Sequence, residues 1–176
     1  LLHELQDLYY VEQKLVRVLD DVAGTVEHPR LSKRLRAHAS ESKGHAERLE
    51  QAFRLLGEEP TGEQCPAFDG IKQEHDEFVA EEQPSPAVYD LFVAGAAGGR
   101  IEHYEIAGYT SAISLATSCG RADVANLLQQ TLREEEQMLD DSQQIAESML
   151  AGGPTDANDG SGDLESMTVD ELREQA

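Results

Sequence analysis

Residues 1–26 read LLHELQDLYYVEQKLVRVLDDVAGTV, and their apolar side chains recur at steps of three and four. This spacing puts them on one face of a helix with 3.6 residues per turn. One position on that face, between Leu8 and Leu15, is occupied by Glu12 instead of an apolar residue. Because a buried carboxylate without a partner costs several kcal/mol, we expect a cationic group to meet Glu12 in the core.

The same periodicity continues through the chain in three further segments. The predicted helices cover 1–26, 31–56, 85–117 and 121–150. A break at 27–30 separates the first two helices, Gly57 ends the second, and the crossover at 58–84 can carry a short helix as far as about Phe78. The sequence therefore predicts an all-α fold, an antiparallel four-helix bundle of two helical hairpins joined by a crossover with a short helix.

The composition changes after the fourth helix. Asp, Gly, Ser and Asn dominate there, which is typical of a flexible linker. We expect residues 1–151 to form one domain and residues 152–176 to be an acidic flexible linker that ends in a short helical segment.

The chain is strongly acidic, with 35 Asp and Glu against 14 Lys and Arg and a formal net charge of -21. Such a surface repels nucleic acid and anionic membranes, so neither is an expected partner. The first interpretation of this charge is a strongly solvated surface. An acidic surface also suits a cytoplasm with high salt, where screening weakens self-repulsion, so a halophilic source is the second interpretation, from composition alone. The chain has no apolar stretch of about 20 residues and no charged-then-apolar leader, so a cytoplasmic location is expected.

Carboxylates or histidines also interrupt the apolar faces of the other three helices, each near the middle of its helix. The residues concerned are His38, Glu41 and His45 in the second helix, Glu102 and Glu105 in the third, and Glu135 in the fourth. In an antiparallel bundle, mid-helix positions lie at one level. The sequence thus predicts a polar layer at mid-height.

Carboxylate oxygens and imidazole nitrogens together form the ligand set of a dinuclear iron or manganese centre. We therefore expect two metal ions, iron in the first place and manganese in the second, bound by side chains from all four helices. The candidate ligands are Glu12, His38, Glu41, His45, Glu102, Glu105 and Glu135. The alternative is a polar layer without metal, held by hydrogen bonds or by arginines such as Arg100 and Arg133.

Several other polar residues lie beside these candidates and receive different expectations. Glu134 competes with Glu135, although its helical angle fits the core less well, and His103 is expected to be a partner or surface residue. Four tyrosines can hydrogen-bond to the ligands or act in redox chemistry, although packing in the core or at an interface is the commoner role of such a residue. They are Tyr9, Tyr10, Tyr104 and Tyr109. The remaining histidines are expected to face solvent; they are His3, His28 and His75.

Five motifs carry a resemblance that covers residues 1 to 150. They are Asp7-Leu8-Tyr9-Tyr10-Val11-Glu12, His38-x-x-Glu41-x-x-x-His45, Cys65-Pro66-Ala67-x-x-Gly70, Glu102-His103-Tyr104-Glu105-Ile106-Ala107 and Thr131-Leu132-x-Glu134-Glu135. The chain resembles the ferritin-like family related to the bacterial stress proteins YciF and YciE. The resemblance implies a ferritin-like bundle, a homodimer and a dimetal site without a settled activity, and it does not imply an iron-storage cage.

The chain departs from the wider ferritin-like pattern, which has Glu-x-x-His on the second and fourth helices. Gly44 stands three residues after Glu41, and Met138 stands three residues after Glu135. The missing histidine in the fourth helix indicates an asymmetric centre, to which Glu102 and Glu105 both contribute.

Two functions follow from these observations. The first is a dimetal protein of stress response that reacts with oxygen or peroxide or oxidises ferrous iron. The second is a non-catalytic structural or binding bundle that bound metal stabilises. The sequence does not choose between them.

Overall fold

The computed structural model of the chain describes residues 1–152. Its helices are α1 (Leu2–Thr25), α2 (Pro29–Leu56), α3 (Pro66–Glu82), α4 (Pro86–Leu91), a π-helical segment (Phe92–Ala97), α5 (Gly98–Ser118) and α6 (Ala122–Leu150). No strand occurs in these 152 residues. Of the predicted linker and terminal helical segment, 152–176, residues 153–176 lie outside the described residues. The domain boundary stays a prediction.

The first helical hairpin turns at Val26–His28, a shorter break than the four residues predicted. Pro29 begins α2, where its missing N–H costs nothing. His28 caps this helix, because its Nδ1 accepts a hydrogen bond from the Leu31 N–H at 3.3 Å. The prediction that His28 faces solvent was therefore wrong: the residue is buried, and burial lowers its pKa, which favours the neutral, accepting imidazole.

The four long helices pack as two antiparallel hairpins, α1 with α2 and α5 with α6, and α2 also lies beside α6 and α1 beside α5. The crossover extends along the bundle from one end to the other. Near its start the Glu63 N–H donates to the Gln6 carbonyl at 3.1 Å, and beyond its end the His28 N–H donates to Asp90 Oδ2 at 2.7 Å. This arrangement confirms the predicted antiparallel four-helix bundle of the ferritin-like kind.

Two elements differ from the prediction. The crossover helix α3 has 17 residues and reaches Glu82. The third long helix is not regular, because the Gly98 N–H donates to the Val93 carbonyl five residues earlier, as in a π-helix. A Cβ at Gly98 would lie 2.7 Å from the Val93 oxygen, so this tight contact is compatible with glycine.

The core consists of two apolar clusters, one toward each end of the bundle. One contains Leu15, Leu19, Leu31, Leu35 and Ile145 among others. The other contains Leu5, Leu49, Phe53, Ala112 and Leu128 among others. The buried carboxylates and histidines of the four long helices lie between these clusters, at the mid-height that the sequence predicted.

None of the described helices is both long and apolar enough to cross a membrane.

Candidate metal centre

Six acidic and histidine side chains from four helices are buried together between the two apolar clusters. They are Glu12 of α1, His38 and His45 of α2, Glu102 and Glu105 of α5, and Glu135 of α6. Helical spacing brings them to one face locally: Glu102 and Glu105 are three residues apart, and the two histidines are seven apart, which is about two turns. Each is at most 2% exposed.

These side chains form two groups in which one ligand atom from each residue lies within 4.8 Å of the others. The first group is His38, Glu102, Glu105 and Glu135, and the second is Glu12, His45 and Glu135. Glu135 belongs to both groups. Its Oε2 lies 3.5 Å from His38 Nε2, and its Oε1 lies 2.7 Å from His45 Nδ1, so its two oxygens face different histidines.

The remaining distances are similarly short. His38 Nε2 lies 3.4 Å from Glu102 Oε1, and His45 Nδ1 lies 3.1 Å from Glu12 Oε1. The His38 and His45 rings are 6.1 Å apart between centroids. The two groups are therefore adjacent and share one carboxylate.

The buried charges strongly shift the pKa values of these groups. Burial alone lowers the pKa of His45, but the Glu12 and Glu135 carboxylates outweigh burial and raise it to about 10. Burial raises the pKa of Glu105 well above its usual range, and the neighbouring carboxylates of Glu135 and Glu12 raise it further. Without a metal ion, protons must therefore supply part of the missing positive charge.

Several buried oxygens of the cluster have no hydrogen-bond donor. They are Glu12 Oε2, Glu102 Oε2 and both carboxylate oxygens of Glu105. Buried acceptors are normally satisfied, because an unpaired one costs free energy. A cation between the helices would satisfy these oxygens. The residues present thus fit a metal centre, and a buried His and Glu cluster of this kind could hold a metal ion.

Glu41, which we expected among the ligands, lies in neither group. Its side chain is 36% exposed and faces the outer side of His38. Glu41 Oε2 accepts from Arg34 Nη1 at 2.9 Å and lies 3.1 Å from His38 Nδ1. The hydrogen bond to His38 and the contact with Arg34 lower the pKa of Glu41 to about 2, so it is a carboxylate. Glu41 follows His38 by three residues, which puts it about 60° from His38 around the α2 axis. Its side chain therefore lies outside the two groups.

Glu134 occupies the corresponding position outside His45. Its Oε2 lies 2.9 Å from His45 Nε2, and it accepts from Arg48. The Arg48 Nε also donates to Thr131 Oγ1 at 2.9 Å. Glu135 therefore faces the centre while Glu134 faces its rim. Arg34 and Arg48 were not among the predicted site residues, although their spacing from the histidines, four before His38 and three after His45, was an available signal.

The arginines named in the alternative without metal lie elsewhere. Arg100 is 3.6 Å from Glu74 at the surface, and Arg133 is exposed. His103 is exposed as well, and its Nδ1 lies 2.6 Å from the Gly99 carbonyl oxygen. None of these three basic residues faces the buried carboxylates.

Among the four tyrosines that the sequence singled out, of five in the chain, Tyr109 contacts the centre. It is fully buried, and its hydroxyl donates to Glu12 Oε1. The hydroxyls of the other three donate to carboxylates outside the two groups, those of Glu50, Asp69 and Asp7.

Comparisons with known proteins agree with this architecture. The chain is 34% identical to the protein YciF of Escherichia coli K12 over 135 residues, which is 76% of this chain and 80% of that protein. The crystal structure of the E. coli stress protein YciF superposes with a TM-score of 0.79 at 31% identity and covers 85% of this chain and 93% of that one. A structure of YcfI from Rhodopseudomonas palustris gives 0.77 at 35% identity, with 81% and 89% covered.

The family described as a domain of unknown function, DUF892, matches residues 1–152, which are all of the residues that the structure describes. The motifs, the fold and the relatives agree, and the chain belongs to the DUF892 family of YciF-like proteins.

Proposed function

We propose that this protein binds two metal ions, iron in the first place and manganese in the second, and uses them to react with oxygen or peroxide or to oxidise ferrous iron during stress. The observation that carries the proposal is the position of Glu135, whose two carboxylate oxygens face two different histidines. A carboxylate shared in this way is suited to bridging two cations.

The charges of the buried side chains support two ions. Glu12, Glu102, Glu105 and Glu135 together carry four negative charges when ionised. Two divalent cations carry four positive charges, and the two histidines bind metal in their neutral form. The centre is therefore neutral when both ions are bound, which is the state that a buried site favours.

The ligand chemistry supports iron or manganese. Carboxylate oxygens with imidazole nitrogens and no thiolate suit these metals. Bound iron or manganese supplies changes of oxidation state toward oxygen or peroxide. The surrounding apolar clusters exclude water from the ligand atoms, and the Tyr109 hydroxyl holds Glu12 Oε1 in place, which leaves Glu12 Oε2 free to bind.

The test is to strip the protein with a chelator, reload it with ferrous iron or manganese without oxygen, and measure metal per chain and consumption of peroxide or ferrous iron. Wild type should hold two ions per chain and show turnover. Glu135→Gln should hold at most one ion and show no turnover, because the shared carboxylate is lost. Glu136→Gln, which changes an exposed residue next to it, should behave as wild type.

The outcomes separate the two functions inferred from the sequence. A wild-type protein that binds no iron and no manganese would contradict the whole proposal. If metal raises the melting temperature without any turnover, the protein is instead a non-catalytic bundle that metal stabilises, because ligands that bind only the native state raise its stability.

We further propose a cytoplasmic homodimer that does not bind nucleic acid. The family resemblance supports the dimer, and the net charge of -21 supports the lack of affinity for nucleic acid. Light scattering of the purified protein tests the dimer directly: a mass of one chain at micromolar concentration would contradict it.

A further inference from the structure

Both histidines of the centre have an outer carboxylate on the ring nitrogen that points away from the other ligands. The outer nitrogen of His38 is Nδ1, 3.1 Å from Glu41 Oε2. The outer nitrogen of His45 is Nε2, 2.9 Å from Glu134 Oε2. The inner nitrogens are consequently of opposite kind, Nε2 in His38 and Nδ1 in His45.

Each outer carboxylate is itself held by an arginine. Arg34 Nη1 donates to Glu41 at 2.9 Å, and Arg48 donates to Glu134. Both arginine side chains are only 14% exposed, so the ion pairs lie at the rim of the core and not in open solvent. The arginines pair with the two carboxylates and restrict their positions.

We propose that Glu41 and Glu134 are positioning residues, which hold the two histidines so that metal binds to Nε2 of His38 and to Nδ1 of His45. The inference rests on the metal-binding part of the proposed function and adds two residues that are not ligands. It gives Glu41 a different role from the one that its sequence position indicated.

Hydrogen bonding by the outer carboxylates decides which nitrogen of each ring can bind metal. A carboxylate paired with an arginine accepts, so the outer ring nitrogen that faces it carries a hydrogen. The inner nitrogens also face carboxylates, and a cation bound between the helices takes the place of the hydrogen on the inner nitrogen. A neutral imidazole carries one N–H, and its other nitrogen then presents a lone pair. With the hydrogen held outside by Glu41 or Glu134, the lone pair points at the buried carboxylates, where a cation would lie. Outer carboxylates of this kind also make a bound imidazole a stronger ligand.

The test uses zinc as a diamagnetic probe of the whole protein. In a long-range proton–nitrogen NMR spectrum of the zinc-loaded wild type, His38 should carry its hydrogen on Nδ1 and His45 on Nε2. Glu41→Ala and Glu134→Ala should each weaken zinc binding by about 10- to 100-fold in calorimetry. The matched controls Glu47→Ala and Glu136→Ala remove an exposed carboxylate from the same helices and should change affinity less than about 3-fold.

The conservative variant Glu134→Gln separates positioning from charge. A glutamine still offers a carbonyl oxygen to His45 Nε2–H, so it should keep the hydrogen on Nε2 and recover part of the affinity that alanine loses. If an alanine variant does not fold by circular dichroism, the wild-type spectrum and the glutamine variant still carry the test.

Two failures can be told apart. A wild-type protein that takes up no zinc, iron or manganese contradicts the proposed function. A wild type that binds zinc, with His45 bound through Nε2 or with the Glu41 and Glu134 variants equal to their controls, overturns this inference alone.

Discussion

The buried carboxylates that would bind metal also lower the stability of the metal-free protein. Glu105 is the clearest case, because it is fully buried and neither of its oxygens has a hydrogen-bond donor. Burial and the nearby carboxylates raise its pKa well above the usual range, so its ionised form is disfavoured in the folded protein. A cation removes this penalty, and a neutral side chain of the same shape should remove it too.

Glu105→Gln should therefore have opposite effects with and without metal. In the presence of a chelator we expect the free energy of unfolding of the variant to be about 1–3 kcal/mol higher than that of wild type, because the cost of burying or protonating the Glu105 carboxylate on folding is gone. With manganese added, the variant should gain less stability than wild type, since one ligand is missing. Urea unfolding in chelator and in manganese measures both effects.

The control for this prediction is Glu47→Gln, an exposed change on α2. It should alter the free energy of unfolding by less than about 0.5 kcal/mol under both conditions. A metal-free Glu105→Gln protein that is less stable than wild type would show that the Glu105 carboxylate already has a partner in solution.

At the scale of the elements, the π-helical segment is the feature that interrupts an otherwise regular bundle. It lies in the helix that carries Glu102 and Glu105, immediately before α5. A π-helical turn adds one residue to the ring closed by a backbone hydrogen bond, so it changes which face the following residues present. The rotation of α5, and with it the direction of its two carboxylates, depends on this segment.

Two neighbouring glycines test the segment. A Cβ at Gly98 would lie 2.7 Å from the Val93 carbonyl oxygen, whereas a Cβ at Gly99 would meet nothing within 4 Å. Gly98→Ala should lower the free energy of unfolding by about 1–3 kcal/mol, because backbone must move. Gly99→Ala should raise it by up to about 1 kcal/mol, because alanine favours helix over glycine.

Urea unfolding of both variants in chelator measures the difference. Equal effects of the two substitutions would mean that the π-helical turn is absent or yields easily in solution. The comparison is well controlled, since both substitutions add one methyl group and lie next to each other.

At the scale of the whole molecule, the excess of acidic residues dominates the surface. The net charge of -21 over 176 residues produces self-repulsion that opposes the compact state. Salt screens such repulsion: the Debye length falls from about 10 Å at 0.1 M to about 3 Å at 1 M.

Raising potassium chloride from about 0.1 M to about 1 M should therefore raise the melting temperature of the metal-free protein. Differential scanning fluorimetry in chelator measures it, and a mesophilic protein with a net charge near zero is the control for general salt effects. A melting temperature that stays the same or falls would contradict the interpretation of this composition as halophilic.

Helical periodicity along the chain was enough to predict the class of the fold and the level of the polar layer. Apolar steps of three and four predict four amphipathic helices, and the short breaks predicted at 27–30 and 118–120 require neighbouring helices to pack antiparallel. In the structure these breaks lie at 26–28 and 119–121. Glu12, His45 and Glu135 interrupt their apolar faces near the middle of the helices, and the structure places them between the two core clusters. Helical periodicity predicts these positions because it identifies the buried face of each helix and how far along the helix each polar residue interrupts that face.

Which polar residues face each other and which lie at the rim depends on how the four helices pack together, and the sequence did not predict it. Glu41 and Glu134 both stand next to buried positions in the sequence, yet each lies outside a histidine and pairs with an arginine. Periodicity gives the angles between residues around the axis of one helix. It does not give the rotation of that helix about its axis. That rotation is set by packing against neighbours, and in α5 also by a π-helical turn that no periodicity predicts. Long carboxylate and guanidinium side chains then pair within one helix, as Glu41 does with Arg34, or between helices, as Glu134 does with Arg48, and periodicity does not decide between the two.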